Sequence, residues 1–426
     1  MNNRVVITGI GVISPNGIGT EDFHQNLFNG KSAIRYFPEH KDLNFRCHIG
    51  ATPTITDEYK AKLFDEFYQK KVDNKGVIYA CLAGFEAWQD AGLEYAEDQP
   101  NEDVGIIFGT GALGMDSISQ STFDKISSGQ NKRLGTRVLP EGMSSGAAAY
   151  LNKIIGAGNR VQTNSSACIT GSESILLGYD HLKHGKATQV LCGSTEGDGL
   201  FIWGAFDAMR VLCSDSNDNP TYGSRPMSAS STGFIPGSGS GAMVLETLES
   251  ARARGAKIYA EILGGEVNSG GMRETGTMTA PNSNAVVRCI KNAMKNAAVK
   301  PEEIDLINGH LTSTRGDTLE IKNWRNALEL NKEDFPYINT PKSMIGHCVA
   351  GAGSVELVAS VLQLKHGFIH KNLNLDKIHP DILEQIPAES IPTETIEKEI
   401  DTIIKANFGF GDLNCVIVLR KWKENG

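Results

Sequence analysis

The sequence predicts a mixed α/β fold, and two observations carry that expectation. Apolar runs of strand length alternate with turns of small residues and then with stretches of helical spacing. There is also an internal echo. Cys168-Ile-Thr-Gly171 leads a helix ending in Leu182-Lys-His-Gly185, and Cys348-Val-Ala-Gly351 leads one ending in Leu364-Lys-His-Gly367. The two cysteine-to-leucine spacings differ by two residues. With 426 residues available, the echo hints at a duplicated α/β unit.

The elements follow in order. RVVITGIGVIS reads as a buried strand running into a glycine turn, and KGVIYACLAGFEAWQDAG (75–92) carries helical spacing of Ile78, Cys81, Leu82, Phe85 and Trp88. VGIIFGTG (104–111) is a second strand with a glycine turn. RVQTNSSAC enters Cys168 as a strand and ITGSESILLGYDHLKHG leaves it as a helix over 169–183; QVLCGSTEG (189–197) is another strand. RPMSASSTGFIPGSGSG is polar and glycine-rich, after which AMVLETLESARARGAKIYAEILGG resumes strand, helix and strand. The boundary between halves is placed at residue 257, giving 1–257 and 258–426. The second half then offers IDLINGH (304–310), a helix rich in lysine and asparagine, INTPKSMIGHCVAGAGSVELVASVLQLKHG, and IIKANFGFGDLNCVIVLRKW.

Composition narrows the function classes. Hydrophobic content of 40% with 21% charged residues is that of a globular chain. A net charge of −9 argues against a general nucleic-acid binder. No CxxC pairs any of the eight cysteines, so no zinc knuckle or redox pair is read. The apolar run near the N-terminus is too short and glycine-rich for a signal peptide, and no apolar stretch reaches 18 residues. A reducing cytoplasm with free thiols is expected.

Gly9-Ile-Gly11 invites a dinucleotide reading, but Ser14 occupies the place of a third glycine. Gly237-Ser-Gly239-Ser-Gly241 lacks the lysine of a phosphate loop, so close backbone packing accounts for it better. Among ten histidines, two meet small residues where a strand ends: His310 after IDLING, and His347 between KSMIG and CVAGAG. The carboxyl ends of strands are where α/β folds bind ligands. Cys168 stands in the same context. At the first turn of a helix, free N–H groups and the dipole stabilise a thiolate. Its neighbouring serines are rival nucleophiles, but no GxSxG elbow is present. Position alone leaves both a small buried filler and a nucleophile open for Cys168.

SACITG, GHLTSTRGD, PKSMIGH and FGFG in combination resemble the elongating β-ketoacyl-[acyl carrier protein] synthases of the thiolase superfamily, and the resemblance runs from RVVITGIGVISPNG to NFGFGDLNCVIVL. It implies a thiolase-like five-layer αβαβα fold of two duplicated halves. It implies that Cys168 takes an acyl chain from a carrier-protein thioester, while His310 and His347 support decarboxylation of a malonyl extender. Backbone N–H groups of Cys168 and Phe410 would form an oxyanion hole. Lys342 would hold charge near His310 with Glu320 as ion-pair partner, and Phe408, Gly409, Phe410 and Gly411 would gate the acyl pocket. Lys70, Lys71, Lys132, Arg133 and Arg210 would receive an acidic acyl carrier protein. No metal or bound cofactor is implied, since the substrates ride on the carrier's phosphopantetheine. The partners implied are that carrier and a second subunit, identical or a related ketosynthase-like one.

Four departures from the family pattern touch loops. Leu311 stands where glycine usually follows the first histidine, and two residues rather than three separate Thr314 from Asp317. Ser238 replaces a usual acidic residue and Asp412 a usual glycine. These bear on the substrate pocket more than on the chemistry. Trp203, Phe206 and Met209 are candidates for setting tunnel depth. Two rivals share the resemblance: a non-catalytic partner subunit that sets chain length, disfavoured by Cys168 and both histidines, and a degradative thiolase using Cys348 or Cys415 as a second cysteine.

Overall fold

The computed structural model describes residues 3–61 and 72–424, apart from the side chains of 117, 120 and 121. The first half contains β1 (Val5–Ser14), α1 (Lys75–Asp90), β2 (Val104–Thr110), α2 (Gly146–Ile155), β3 (Val161–Gln162), α3 (Thr170–Lys183), β4 (Gln189–Glu196), α4 (Leu200–Ala208) and β5 (Gly239–Thr247). The second contains β6 (Ala260–Ser269), α5 (Ser283–Ala297), β7 (Leu306–Asn308), α6 (Gly316–Leu328), β8 (Tyr337–Asn339), α7 (Ala352–His366), β9 (Thr402–Gly409) and β10 (Leu413–Lys421). Residue 257 lies in the link between the helix Leu248–Ala253 and β6.

The strands join in the order β3-β2-β4-β5-β1-β6-β10-β9-β7-β8. Read outward from the β1–β6 seam, the two halves have one topology. The first, fifth and fourth strands pair antiparallel, and the fourth, second and third pair parallel. At the seam Val5 to Ile7 face Ile262 to Ala260 antiparallel. Helices α1 and α2 cover one outer face, and α5 and α6 the other. Helices α3 and α7 each touch strands of both halves and form the middle layer. This is the five-layer αβαβα arrangement. All ten residues of β1 are buried, as expected of a strand covered on both faces.

Glycine permits two close approaches here. A Cβ on Gly9 or Gly11 would lie 2.2 Å and 2.1 Å from the carbonyl oxygens of Ala87 and Ala83 on α1. The expected glycine turn is therefore strand, and its glycines seat a helix rather than a nucleotide. In the middle layer a Cβ on Gly171 would lie 2.4 Å from the Ser354 nitrogen, and one on Gly353 would lie 2.5 Å from the Ser172 nitrogen. The contact is reciprocal, so α3 and α7 cross backbone to backbone at their first turns.

That crossing fixes the register of the repeat. Short 3₁₀ turns, Ala167–Ile169 and Val349–Gly351, precede α3 and α7. Ala167 and Val349 both have φ +49°, and Gly185 and Gly367 close the helices at φ +66°. The Leu-Lys-His-Gly echo is in register, whereas the two cysteines are not. Cys168 corresponds to Ala350, and Cys348 to Ser166, which accounts for the two-residue difference in spacing.

Candidate active site

The nucleophile candidate sits in the 3₁₀ turn before α3. The left-handed backbone at Ala167 is held by Thr170, whose Oγ1 donates to the Ala167 carbonyl (2.7 Å) and accepts the Ser166 N–H (2.8 Å). Ser166 donates to Glu173, and Ser172 donates to Asn407 on β9 (2.6 Å). Ser166 and Ser172 are thus committed to structure. Cys168 is 9% exposed, and burial pushes its thiol up to about 11, against the pull of the Lys342 charge and the Phe410 N–H. Gly409 lets β9 approach closely, because a Cβ there would lie 3.2 Å from the Cys168 nitrogen. The amides of Cys168 and Phe410 consequently flank one sulfur.

His347 Nε2 lies 3.2 Å from Cys168 Sγ. Its Nδ1 accepts the Val349 N–H at 3.2 Å, so the ring proton sits on Nε2 and points at the sulfur. The left-handed Val349 lets that amide turn back. His310 follows β7, and its ring lies 5.3 Å from that of His347, nearly perpendicular at 83°. One nitrogen of each imidazole and Cys168 Sγ all lie within 4.8 Å of one another. Burial lowers both histidines, aided by Lys342. His347 falls to about 3 and His310 moves in the same direction. Both rings are neutral hydrogen-bond donors at ordinary pH.

The ion pair expected between Lys342 and Glu320 is not formed. Glu320 on α6 accepts the backbone N–H of His310 (2.7 Å) and of Leu311 (2.8 Å) and faces Trp324 Nε1 at 3.3 Å. Burial raises its carboxyl to about 7. Its two oxygens clamp the loop that carries His310 and are not free for a lysine. Lys342 instead contacts Glu356 Oε1, and Lys405 lies 2.7 Å from Glu356 Oε2. Lys342, Lys405 and Glu356 are each at most 1% exposed. Flanked by two ammonium groups, Glu356 is held at about 2 despite its burial. Asn407 Nδ2 donates to Glu356 Oε2 at 3.0 Å.

A cavity of about 580 Å³ opens from Cys168, His310 and His347. Phe408, Gly409 and Phe410 line it, with Phe206 and Phe234; Gly411 sits behind them in the β9–β10 turn at φ +85°. Phe410 and Phe206 meet edge to face at 6.3 Å. Of the tunnel candidates only Phe206 faces this cavity. Trp203 packs on Phe37 and His40, and Met209 is exposed. Arg210 reaches the wall, Lys132 and Arg133 lie on an exposed turn away from the lining, and Lys70 and Lys71 lie outside the described residues.

The departures have separate fates. Leu311 is buried in the core and does not line the cavity, while the short loop contributes Thr314, Arg315, Gly316 and Asp317 to the wall. Ser238 faces Asp198 at 3.4 Å. Asp412 accepts the N–H groups of Met272 and Asn282, holding the loop that brings Thr279 and Pro281 to the wall. Cys348 donates to the Ser238 carbonyl and Cys415 is buried in β10; neither lines the cavity.

Sequence reasoning missed Glu356, Lys405, Asn407 and Arg315. The first two had a signal: a lone acid within AGSVELVASVLQL and a lone lysine within TIIKANF are charges where the pattern predicts full burial.

Comparison with known proteins shows the family. The model of the β-ketoacyl synthase N-terminal domain matches residues 2–251, and that of the C-terminal domain matches 259–376. The 3-oxoacyl-[acyl-carrier-protein] synthase 1 of Escherichia coli K12 is 34% identical over 99% of this chain and 100% of its own length. The chloroplastic 3-oxoacyl-[acyl-carrier-protein] synthase I of Arabidopsis thaliana is 31% identical over 99% of this chain and 87% of its own. Among solved structures, a type II PKS ketosynthase bound to a hexaketide in complex with its acyl-carrier protein superposes with TM-score 0.88 at 26% identity, covering 99% of this chain and 100% of that one. The ishigamide ketosynthase/chain length factor superposes with TM-score 0.87 at 26% identity over the same shares.

Proposed function

Because this chain belongs to the β-ketoacyl synthase family, we propose that it is an acyltransferase that elongates a fatty acyl or polyketide chain by decarboxylative condensation on Cys168. The observation that carries the assignment of roles is the meeting of Cys168 Sγ, two neutral imidazoles and two backbone N–H groups at the end of one cavity.

In the first half-reaction Cys168 Sγ attacks the carbonyl carbon of a carrier-bound thioester. The oxyanion faces the N–H groups of Cys168 and Phe410, the carrier sulfur leaves, and the thiol proton ends on it. In the second, a malonyl thioester replaces the first carrier. Its carboxylate carbon–carbon bond breaks, CO₂ departs, and the electron pair forms an enolate whose oxygen accepts from Nε2–H of His310 and His347. Neutral imidazoles suit this role, since they donate without surrendering a proton. The enolate carbon then attacks the acyl-cysteine carbonyl, the bond to Cys168 Sγ breaks, and the released thiolate takes a proton from water. Lys342 acts by charge: it lowers the Cys168 thiol and disfavours protonation of both rings.

Phe408 and Phe410 are assigned to the acyl gate, with Gly409 and Gly411 supplying backbone freedom. Arg210 is assigned to the carrier-binding mouth, joined by Arg315. The chain carries no cofactor in this scheme beyond the carrier's phosphopantetheine. The halves 1–257 and 258–426 are read as the units bearing nucleophile and histidines respectively. A second subunit, identical or ketosynthase-like, is assigned to the neighbouring helices where Met115, Ile118, Phe123, Ile126, Leu139 and Phe201 are exposed, since clustered exposed apolar side chains mark interaction surfaces. No described helix is long and apolar enough to cross a membrane, and the eight free cysteines fit a reducing compartment such as the cytoplasm.

Cys168→Ala tests the reading. Both acyl-enzyme formation, weighed by mass spectrometry, and carrier-dependent condensation should disappear. Elongation at the wild-type rate in that variant would overturn it.

A further inference from the structure

The two imidazoles reach the same tautomer by different routes. At His347 the backbone N–H of Val349 occupies Nδ1. At His310 the group facing Nδ1 is the side-chain amide of Asn407, with Nδ2 at 3.5 Å. Which end of that amide faces the ring is decided by its other partners. Glu356 is ionised, and a carboxylate can only accept, so the atom 3.0 Å from its Oε2 is Nδ2. Ser172 Oγ donates to Oδ1 at 2.6 Å from the opposite side. The second hydrogen of Nδ2 is left for His310.

We infer that Asn407 is a positioning residue that holds His310 with its proton on Nε2, aimed into the cavity. The inference rests on the condensing-enzyme reading above. A ring with the opposite tautomer would present a lone pair to the enolate oxygen and repel it. Glu356 carries this arrangement because both its oxygens are pinned: Oε1 by Lys342, and Oε2 by Lys405 and Asn407 together. Lys405 is anchored in turn by its contact with the Ala406 carbonyl. The path from Lys405 through Glu356 and Asn407 to His310 is buried and polar, so an unpaired member would be costly. At 3.5 Å the last link is long. Contacts of this kind tighten when substrate closes the site.

Two measurements test the inference. In wild-type protein labelled with ¹⁵N-histidine, with His310 assigned by comparison with His310→Ala, the ring should show a neutral signature with an unprotonated Nδ1. A protonated Nδ1 would overturn the inference, and this result does not depend on how Asn407→Leu folds. In Asn407→Leu the His310 signature should change to a tautomer mixture. Malonyl decarboxylation should fall by about 10- to 100-fold, as when the partners that orient metal-bound histidines are lost, while acylation of Cys168 keeps its wild-type rate. An equal fall in both steps, or undiminished decarboxylation, would overturn it. Absence of acylation in the wild type would strike the condensing-enzyme reading instead.

Discussion

The turn before α3 and the turn before α7 are built alike and used differently. Each is a 3₁₀ segment opened by a non-glycine residue at φ +49°. Each leads a buried helix whose serine crosses to the fourth strand of the other half: Ser172 to Asn407 on β9, and Ser354 to Ser194 on β4. The first turn presents a sulfur, and the second uses its backbone N–H to fix the tautomer of a histidine. Two residues further along, Ser174 in α3 bonds to Asn164 and to the Thr170 carbonyl, whereas the matching residue in α7 is Glu356 between two lysines. Duplication thus supplied a symmetric scaffold, and the Lys342–Glu356–Lys405 cluster lies on one side of it. The nucleophile and the charges that tune it come from opposite halves.

The largest effect should come from the asymmetric charge. Glu356→Gln leaves Lys342 and Lys405 facing each other without an anion, and should cost about 3–5 kcal/mol in denaturant unfolding. Ser174→Ala, at the matching position, should cost only about 1 kcal/mol. Equal costs would erase the distinction drawn between the helices.

The symmetric crossing is next. Gly171→Ala and Gly353→Ala each place a methyl group against backbone, so each should cost about 1–3 kcal/mol, and the two values should agree closely. A loss confined to one of them would break the equivalence.

A smaller effect reports on electrostatic communication across the seam. Lys342→Met keeps the Glu356–Lys405 pair but removes the charge that most lowers the Cys168 thiol. The thiol then ionises less at a given pH, and iodoacetamide should alkylate Cys168 roughly tenfold more slowly, the equivalent of about one pKa unit. Unchanged alkylation would show that Lys342 does not tune the sulfur. Smallest of all, Arg210→Ala should weaken carrier-protein binding by a few fold, with a shallower salt dependence in a titration. An unaltered salt slope would remove Arg210 from the carrier surface.

Much of this was legible in the chain. The near-continuous apolar strands and the helix at 75–90 could be read from local pattern, and strand-end context singled out Cys168, His310 and His347 as candidates whose roles came from the family resemblance. These features depend on neighbours in sequence, where periodicity and turn chemistry act. The partner of Lys342 could not be read, because Glu320 and Glu356 are both acids at helical spacing and only packing shows that Glu320 is occupied by two backbone N–H groups. Asn407 was invisible for a similar reason. An amide in an apolar strand has no meaning until Ser172, Glu356 and His310, from three other elements, surround it.

By itself, then, the sequence determined an α/β chain with a repeated helix end, a reactive-cysteine context and two strand-end histidines, since each is a property of a few adjacent residues. The tertiary structure alone decided the register of the repeat, the charge triad around Glu356 and the tautomers of the two imidazoles. These depend on which atoms meet when α3 and α7 cross at Gly171 and Gly353, and only a folded backbone can bring both halves to that point.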